Sequence, residues 1–209
     1  ARVVDGSRVS VMIGRSPTLF SLVVGGLLGA AAGYYGGKVD DIIMRACDIV
    51  MSIPGILLAL AIIAALGAST MNLLIAITIS SVPGSVRLVR STILTVVEQD
   101  FIEAARSYGS SDMRIIVKYI LPNAVGPIIV NTTMSIASMI LSAAGLSFIG
   151  MGIQPPQPEW GAMLSEARQY MTTSPYMLYF PGIAIVMTAL SLNLIGDGLR
   201  DALDPKLKD

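Results

Sequence analysis

The sequence predicts an all-α protein that crosses a membrane several times. Of the 209 residues, 54% are hydrophobic and 13% are charged, whereas soluble domains carry about 25% charged residues. The mean hydropathy is +0.72. Apolar segments recur along the chain, and a helix of about 20 residues crosses a hydrocarbon core of about 30 Å. We therefore expect a polytopic transmembrane helical bundle with five spans in this chain.

The composition also excludes several classes of function. The 14 basic and 14 acidic residues leave no net charge, so nothing favours a nucleic-acid partner. The sequence has no histidine, the commonest metal ligand and the side chain that most often acts as a general base. A single cysteine, Cys47, cannot form an internal disulfide or a thiolate metal cluster. We therefore predict no catalytic residue, no metal site and no cofactor in this chain.

The first span is predicted over residues 16–35, after a polar external loop at residues 1–15 that has no apolar core of the signal-peptide type. Small residues at intervals of four let another helix approach closely in lipid, and we predict such a contact at the glycines of this region. These glycines are Gly25, Gly29, Gly33 and Gly37. The alternative, a phosphate-binding G-x-x-x-x-G-K-[ST] loop, fails because Ala32 and Val39 occupy two of its required positions.

The second and third spans are each predicted to be broken by a proline-glycine pair. The second covers residues 42–66 and contains Pro54-Gly55, and the third begins near residue 73, ends near residue 97 and contains Pro83-Gly84. Such breaks are tolerated where neighbouring helices or a water-filled path satisfy the freed carbonyl groups. Two broken helices therefore favour a central translocation path.

An ionisable pair lies near the start of the second span. Arg45 and Asp48 are three residues apart and share one helix face. We expect them to neutralise each other at the membrane boundary, and a gating role for Asp48 is the alternative.

A polar stripe marks the fourth span, residues 123–149. Its members recur at intervals of four, three and four, which is one face of a helix: Asn131, Ser135, Ser138 and Ser142. The stripe faces either a solute or another helix, with which it would form hydrogen bonds. Our candidates for the translocation path or its gate are Asp48, Pro54, Ser81, Pro83, Asn131 and Ser135.

Residues 98–122 are the one charged interruption of the apolar pattern, and we predict a helical hairpin there. Apolar positions up to Tyr108 recur on one helix face, with Glu103 and Arg106 side by side on another. Gly109 is expected to end this first helix. Ser110 or Ser111 is then expected to cap a second short helix with Asp112 in its first turn. That helix carries Arg114 and Lys118 and is expected to end at Pro122.

The end of the chain combines an irregular segment with a last span. Prolines make residues 150–177 an external loop, in which residues 161–170 can form a short interfacial helix led by Trp160. The fifth span is predicted over residues 178–199 and a tail over residues 200–209.

Three features of the hairpin at fixed spacing resemble the EAA loop of bacterial ABC-importer permeases. They are E-A-A at residues 103–105, Gly109 six positions after Glu103, and Leu121-Pro122. The segment G-I-Q-P-P-Q-P-E-W-G-A-M-L at 152–164 and the terminus D-A-L-D-P are similar to those of dipeptide and oligopeptide permeases. The chain thus resembles a second-type permease subunit of the peptide and nickel branch, with the type I importer fold.

The resemblance implies a site and a set of partners. In that family the loop is cytoplasmic, and its second helix docks on an ATP-hydrolysing subunit that holds ATP and Mg. The residues expected to couple the loop to the ATP-hydrolysing subunit are Glu103, Ala104, Ala105, Arg106, Gly109, Ser110, Asp112, Arg114, Lys118, Leu121 and Pro122. The implied partners are a homologous permease, two ATP-binding subunits, an extracytoplasmic solute-binding protein and the lipid bilayer. The family also implies a bacterial or archaeal inner or plasma membrane and a further span upstream of residue 1.

The distribution of basic residues agrees with a cytoplasmic hairpin. Alternation across five spans places ten Lys and Arg residues inside and four outside, as the positive-inside rule requires. The inside residues are Lys38, Arg45, Arg87, Arg90, Arg106, Arg114, Lys118, Arg200, Lys206 and Lys208, and the outside ones are Arg2, Arg8, Arg15 and Arg168.

Several alternatives stay open. The imported solute is a dipeptide, an oligopeptide, a glutathione-like compound or a nickel chelate, all carried by members of the resembled branch. A passive channel would share the broken helices but would have no need of the charged hairpin. An intramembrane enzyme would need paired carboxylates or a serine with a base inside the spans, and Asp48 is the one deep acidic candidate.

Overall fold

The computed structural model describes residues 1–154 and 156–203, and it confirms the predicted all-α membrane bundle. Four helices are long and apolar enough to cross a membrane, and a bent pair adds a fifth crossing if its two helices count as one span. The helices are α1 (Arg2–Tyr35), α2 (Gly37–Met51), α3 (Gly55–Leu66), α4 (Thr70–Val97), α5 (Asp100–Ser107), α6 (Asp112–Ile115), α7 (Leu121–Phe148), α8 (Trp160–Ala167) and α9 (Tyr176–Leu203). A π-helical turn, Ile116–Ile120, joins α6 to α7, and a 3-10 turn, Arg168–Tyr170, follows α8.

The first helix is longer than the sequence indicates. The prediction of a loop at residues 1–15 is wrong, because α1 is continuous from Arg2 to Tyr35. Gly6, Ser10 and Ile13 are buried at intervals of four and three, which is the period of a helix face. Two of these three residues are small or polar, so the buried stripe is not visible as an apolar pattern.

The glycines of α1 form the predicted close helix contact, and the partner is α4. A Cβ at Gly25 would lie 2.5 Å from the Cβ of Ser85, and one at Gly29 would lie 2.6 Å from the backbone oxygen of Val86. Gly33 meets the same helix one turn further on. Gly37 does not belong to this contact, because it starts α2 with φ +50° and has open space around it.

Only one of the two predicted helix breaks is present. The second span is split at Pro54 into α2 and α3, which are bent by 76° relative to each other. The break predicted at Pro83 is wrong, because α4 runs through this buried proline from Thr70 to Val97. A proline removes one helical N–H donor, and packing against neighbouring helices lets a membrane helix tolerate that loss.

Two ion pairs fasten α2 to α4. The guanidinium of Arg90 donates from Nε and from a terminal nitrogen to the two carboxyl oxygens of Asp40, each at 2.5 Å. Arg87 donates to a carboxyl oxygen of Asp48. The expected neutralisation of Asp48 by Arg45 is therefore wrong, because a long side chain on α4 reaches the carboxyl from another helix.

The segment between α7 and α9 is packed into the bundle. The short helix predicted at residues 161–170 exists as α8 and the turn after it. Trp160 is nevertheless 3% exposed, and its indole N–H donates to the backbone oxygen of Val3 at 2.9 Å. Its ring lies against Gly6, where a Cβ would come within 3.2 Å of it. Trp160 therefore packs inside the protein, and the interfacial position of this helix stays a prediction.

The last span and the tail differ slightly from their predicted bounds. Helix α9 begins at Tyr176 and continues to Leu203, so the first residues of the predicted tail are helical. Pro155 of the Q-P-P segment and the terminal residues 204–209, which include Lys206 and Lys208, lie outside the described residues.

Candidate functional site

The hairpin begins with α5, and Gly109 ends that helix as predicted. Gly109 has φ +73°, a conformation that favours glycine. Its N–H donates to the backbone oxygen of Arg106, and the N–H of Ser110 donates to that of Ala105. These two hydrogen bonds form a Schellman motif, which turns the chain sharply at a helix C-terminus.

The second arm of the hairpin is not a separate short helix. Ser111 stands at the N-cap position of α6, but its side chain makes no capping hydrogen bond. From Asp112 the helix continues through the π-helical turn into α7, so that Asp112–Phe148 is one element of 37 residues. The prediction that Pro122 ends this helix is wrong, because the helix continues through Pro122, which directly follows the irregular hydrogen bonding of the π-helical turn.

A tyrosine that sequence reasoning missed holds the hairpin against α1. The hydroxyl of Tyr34 donates to a carboxyl oxygen of Asp112 at 2.7 Å. The guanidinium of Arg106 lies 5.4 Å from the centre of the Tyr34 ring, a cation-π contact. Tyr34 therefore contacts both arms of the hairpin, one through its hydroxyl and the other through its ring.

The contacts of Arg106 differ from the expected ones. Glu103 and Arg106 form no salt bridge in the described part of the chain, although they are three residues apart. The nearby ring of Tyr34 engages the guanidinium instead. A tyrosine at the very end of a predicted span is the one sequence signal that could have indicated this contact.

The buried side of the hairpin packs on α1 and α4. Ile102, Ala105, Ile115 and Ile120 form a core cluster with Tyr34 and residues of α4. The apolar face predicted for the first arm is confirmed only in part, because Val97 and Ala105 pack in this cluster, whereas Phe101 and Tyr108 are 42% and 91% exposed. Ala104 and Glu103 are exposed as well, whereas Ser110 is half-buried.

The opposite side of the second arm carries an exposed apolar row. Met113, Val117 and Leu121 follow one another at intervals of four and are 70%, 56% and 39% exposed. We call these three residues the hairpin row. Arg114 and Lys118 are exposed beside it. The row is therefore an apolar surface flanked by positive charge at one end of the bundle.

A cavity of about 280 Å³ lies between α1, α4 and α7, beside the break between α2 and α3. Ser81 and Ser135, two of the predicted path residues, line it. Among the described residues, seven of its lining side chains carry hydroxyls and none is charged: Thr18, Ser21, Ser80, Ser81, Ser85, Thr132 and Ser135. A second cavity of about 190 Å³ shares Ser80, Ser81 and Met139 with the first.

The remaining candidates for the path lie outside these cavities. Asp48 is paired with Arg87, and the amide of Asn131 donates to the backbone oxygen of Pro127. Pro54 precedes α3 and is exposed, and Pro83 is buried within α4. In residues 1–154 and 156–203, no group of three or more Cys, Asp or Glu side chains could hold a metal ion.

The structure has the features of a membrane permease. Apolar helices surround an uncharged cavity, one broken helix lies beside that cavity, and a charged hairpin lies at one end of the bundle. Such a protein moves a solute through its own helices and does not transform it. The chain belongs to the family of binding-protein-dependent transport system inner membrane components, whose sequence profile matches residues 25–209. It is therefore a multi-pass inner-membrane transport subunit.

Similar proteins of known name are bacterial permeases. The glutathione transport system permease protein of Pectobacterium atrosepticum is 48% identical over 208 residues, which cover 100% of this chain and 69% of the relative. The protein of the same name from Escherichia coli O6:K15:H31 is 51% identical over the same extent.

Two solved structures share the fold at lower identity. A chain of the MetNI methionine ABC transporter in an inward-facing conformation has a TM-score of 0.78 and 19% identity, covering 97% of this chain and 96% of that one. A chain of an amino acid ABC transporter has a TM-score of 0.71 and 16% identity, covering 99% of this chain and 94% of that one. These likenesses establish the arrangement of helices.

Proposed function

We propose that this chain forms half of the translocation path of an ATP-driven importer for peptides or a small peptide-like solute, and that a separate ATP-hydrolysing subunit drives it through the hairpin. Two relatives at 48% and 51% identity are named for glutathione transport, which supports a peptide-like solute. The sequence lacks a Walker A motif at its glycine-rich segment, which supports ATP and Mg binding on another chain.

The hairpin row is the observation that carries the proposal. An apolar surface at the water-facing end of a membrane protein indicates a soluble protein partner rather than lipid. Met113 and Val117 occupy the same helix face and suit a hydrophobic groove, the usual way in which a helix binds a partner. Arg114 and Lys118 beside them favour a groove with an acidic rim.

The continuity of the second arm supports a lever mechanism. Asp112–Phe148 is one helical element, so a displacement of Met113 also displaces α7. Thr132 and Ser135 of α7 line the cavity and would move with it. Tyr34 ties the same displacement to α1. The two walls of the cavity would then move together as the bundle changes between inward and outward openings.

The exposed polar side of α7 supports a second permease subunit. Asn131 and Ser138 are exposed on this apolar helix, and polar groups facing hydrocarbon are costly. A homologous subunit would cover this side and complete the path. The whole assembly would then contain two permeases, two ATP-binding subunits and an extracytoplasmic solute-binding protein.

The proposal is tested by changing Gly109 in the assembled transporter in liposomes. Gly109→Val forces a β-branched residue into φ +73°, where asparagine is tolerated. We expect Gly109→Val to reduce ATP-driven peptide uptake by about tenfold or more while the ATP-binding subunits still co-purify, and Gly109→Asn to retain most of the uptake. Peptide uptake that continues without ATP would favour a passive channel and contradict the proposal.

A further inference from the structure

The hydroxyl groups that line the 280 Å³ cavity each use their hydrogen within the protein, as many serine and threonine side chains in helices do. Six donate to a backbone oxygen three or four residues earlier in the same helix, at distances of 2.6–3.0 Å. These six are Thr18, Ser21, Ser80, Ser81, Thr132 and Ser135. The seventh, Ser85, lies 3.3 Å from the hydroxyl oxygen of Ser21.

The direction of these hydrogen bonds follows from their partners. A backbone carbonyl has no hydrogen to give, so the six hydroxyls that contact one must be the donors. The hydrogen of Ser21 is used on the carbonyl of Thr18, so Ser85 must donate to Ser21. Each hydroxyl oxygen keeps at least one lone pair that can accept a hydrogen bond.

We infer that this cavity binds solute groups that donate hydrogen bonds, namely amide N–H and ammonium groups, and disfavours carboxylates. Its wall offers hydroxyl oxygens as acceptors on the half-buried serines and Thr132, whereas Thr18 and Ser21 are only 2% exposed. Among the described residues, no charged side chain lines the cavity to pair with an anion. A carboxylate would find a free donor only where a hydroxyl gives up its bond to the backbone. The inference rests on the proposed function and specifies which part of a peptide the permease contacts.

Thr132 and Thr133 provide a matched pair for the test. Both donate to a carbonyl four residues earlier, at 2.6 Å and 2.9 Å, and both lie on α7. Thr132 lines the cavity and Thr133 does not. Valine has nearly the shape of threonine without the hydroxyl, so Thr132→Val removes one acceptor from the wall and Thr133→Val removes none. Ser135→Ala and Ser191→Ala form a second such pair, because Ser191 is back-bonded in the same way on α9.

The measurement is ATP-driven uptake by the complete transporter in liposomes. The two solutes are a tripeptide and the same tripeptide with its amide nitrogens methylated, each supplied already bound to the solute-binding protein. The quantity compared is the uptake rate of the unmethylated tripeptide divided by that of the methylated one. Losses of folding or assembly lower both rates and cancel in this ratio. We expect Thr132→Val and Ser135→Ala to lower this ratio by about two- to tenfold, the effect of one hydrogen bond. The two control variants should leave the ratio unchanged.

The outcomes separate the inference from the proposed function. An unchanged ratio in both lining variants, or equal changes in lining and control variants, would overturn the inference and leave the importer intact. No ATP-driven uptake of either peptide by the unmodified transporter would overturn the proposed function, and the inference with it.

Discussion

Two helical connections between long helices contact opposite ends of α1, and they differ in how far their side chains are buried. One is the segment between α7 and α9, and the other is the hairpin between α4 and α7. The connection after α7 contacts the first turns of α1 with a buried part, where Glu159 and Trp160 are 1% and 3% exposed, although its later residues Tyr170 and Met171 are 44% and 54% exposed. The hairpin contacts the last turn of α1 through Tyr34 but leaves Tyr108 and Met113 at 91% and 70% exposure. One connection is thus part of the bundle, and the other is a surface held on it.

The difference lies in how the polar groups of each connection are satisfied. The carboxyl of Glu159 accepts hydrogen bonds from the N–H groups of Gly161 and Ala162, and Ser10 on α1 donates to it at 3.4 Å. The hairpin reaches α1 through one hydroxyl and one ring contact, beside an apolar core that covers only its inner side. A buried connection fixes the positions of helices, whereas an exposed one is available to a partner.

Replacing Glu159 should give the largest loss of stability. Glu159→Ala removes the cap of α8 and leaves two buried N–H groups without an acceptor, each costing about 1–3 kcal/mol. We expect the free energy of unfolding, measured by denaturation in detergent, to fall by about 2–6 kcal/mol. The control is Glu166→Ala on the same connection, whose carboxyl is 38% exposed and pairs with Arg2. It should lose about 1 kcal/mol or less, and an equal loss in both variants would contradict the comparison.

Tyr34→Phe should have a smaller effect on stability and a specific effect on transport. The variant keeps the ring beside Arg106 and removes the hydrogen bond to Asp112, which costs about 1 kcal/mol of unfolding free energy. We expect fewer solute molecules imported per ATP hydrolysed, because α1 no longer follows the second arm. Tyr35→Phe is the control, since Tyr35 is 58% exposed and its ring forms a T-shaped pair with that of Tyr34. If the two variants import the same number of solute molecules per ATP hydrolysed, Tyr34 does not connect the hairpin to the bundle.

Local geometry was predictable from the sequence wherever one residue type decides it. Three glycines at intervals of four indicated the close contact of α1, and Gly109 indicated the end of α5, because both depend on the absence of a Cβ. Proline was a less reliable signal. Pro54 breaks its helix, but Pro83 and Pro122 do not, since packing of the surrounding helix decides whether one missing donor matters.

Contacts between distant parts of the chain were not predictable from local patterns. Asp48 binds Arg87, 39 residues away, and not Arg45 in the adjacent turn. Tyr34 and Asp112 are 78 residues apart, so no helical periodicity relates them. The hydroxyls that line the cavity come from α1, α4 and α7, and only Ser81 and Ser135 were predicted to lie on the path. The candidate site is therefore a product of tertiary packing, although the segment that contains the hairpin was visible from its charge.

Replacing Met113 should have the smallest effect on stability of the three changes but a large effect on binding to the ATP-binding subunit. Met113→Ala removes an exposed side chain, so the free energy of unfolding should change by no more than about 0.5 kcal/mol. Truncating a side chain that anchors an interface typically costs more than about 1 kcal/mol of binding, which weakens the complex by about fivefold or more. The measurement is the affinity of the detergent-solubilised permease for its ATP-binding subunit. Val4→Ala is the control, because Val4 is 73% exposed at the opposite end of α1.

The result with Met113 decides what the exposure of the hairpin means. If Met113→Ala weakens binding and Val4→Ala does not, exposure at the hairpin identifies a binding surface, whereas exposure at the opposite end reflects only the apolar surface of a membrane protein. If both variants bind alike, the hairpin row is not the docking surface. The contrast between the two connections would then describe packing alone, and the proposal that the hairpin receives the driving motion would lose the observation that carries it.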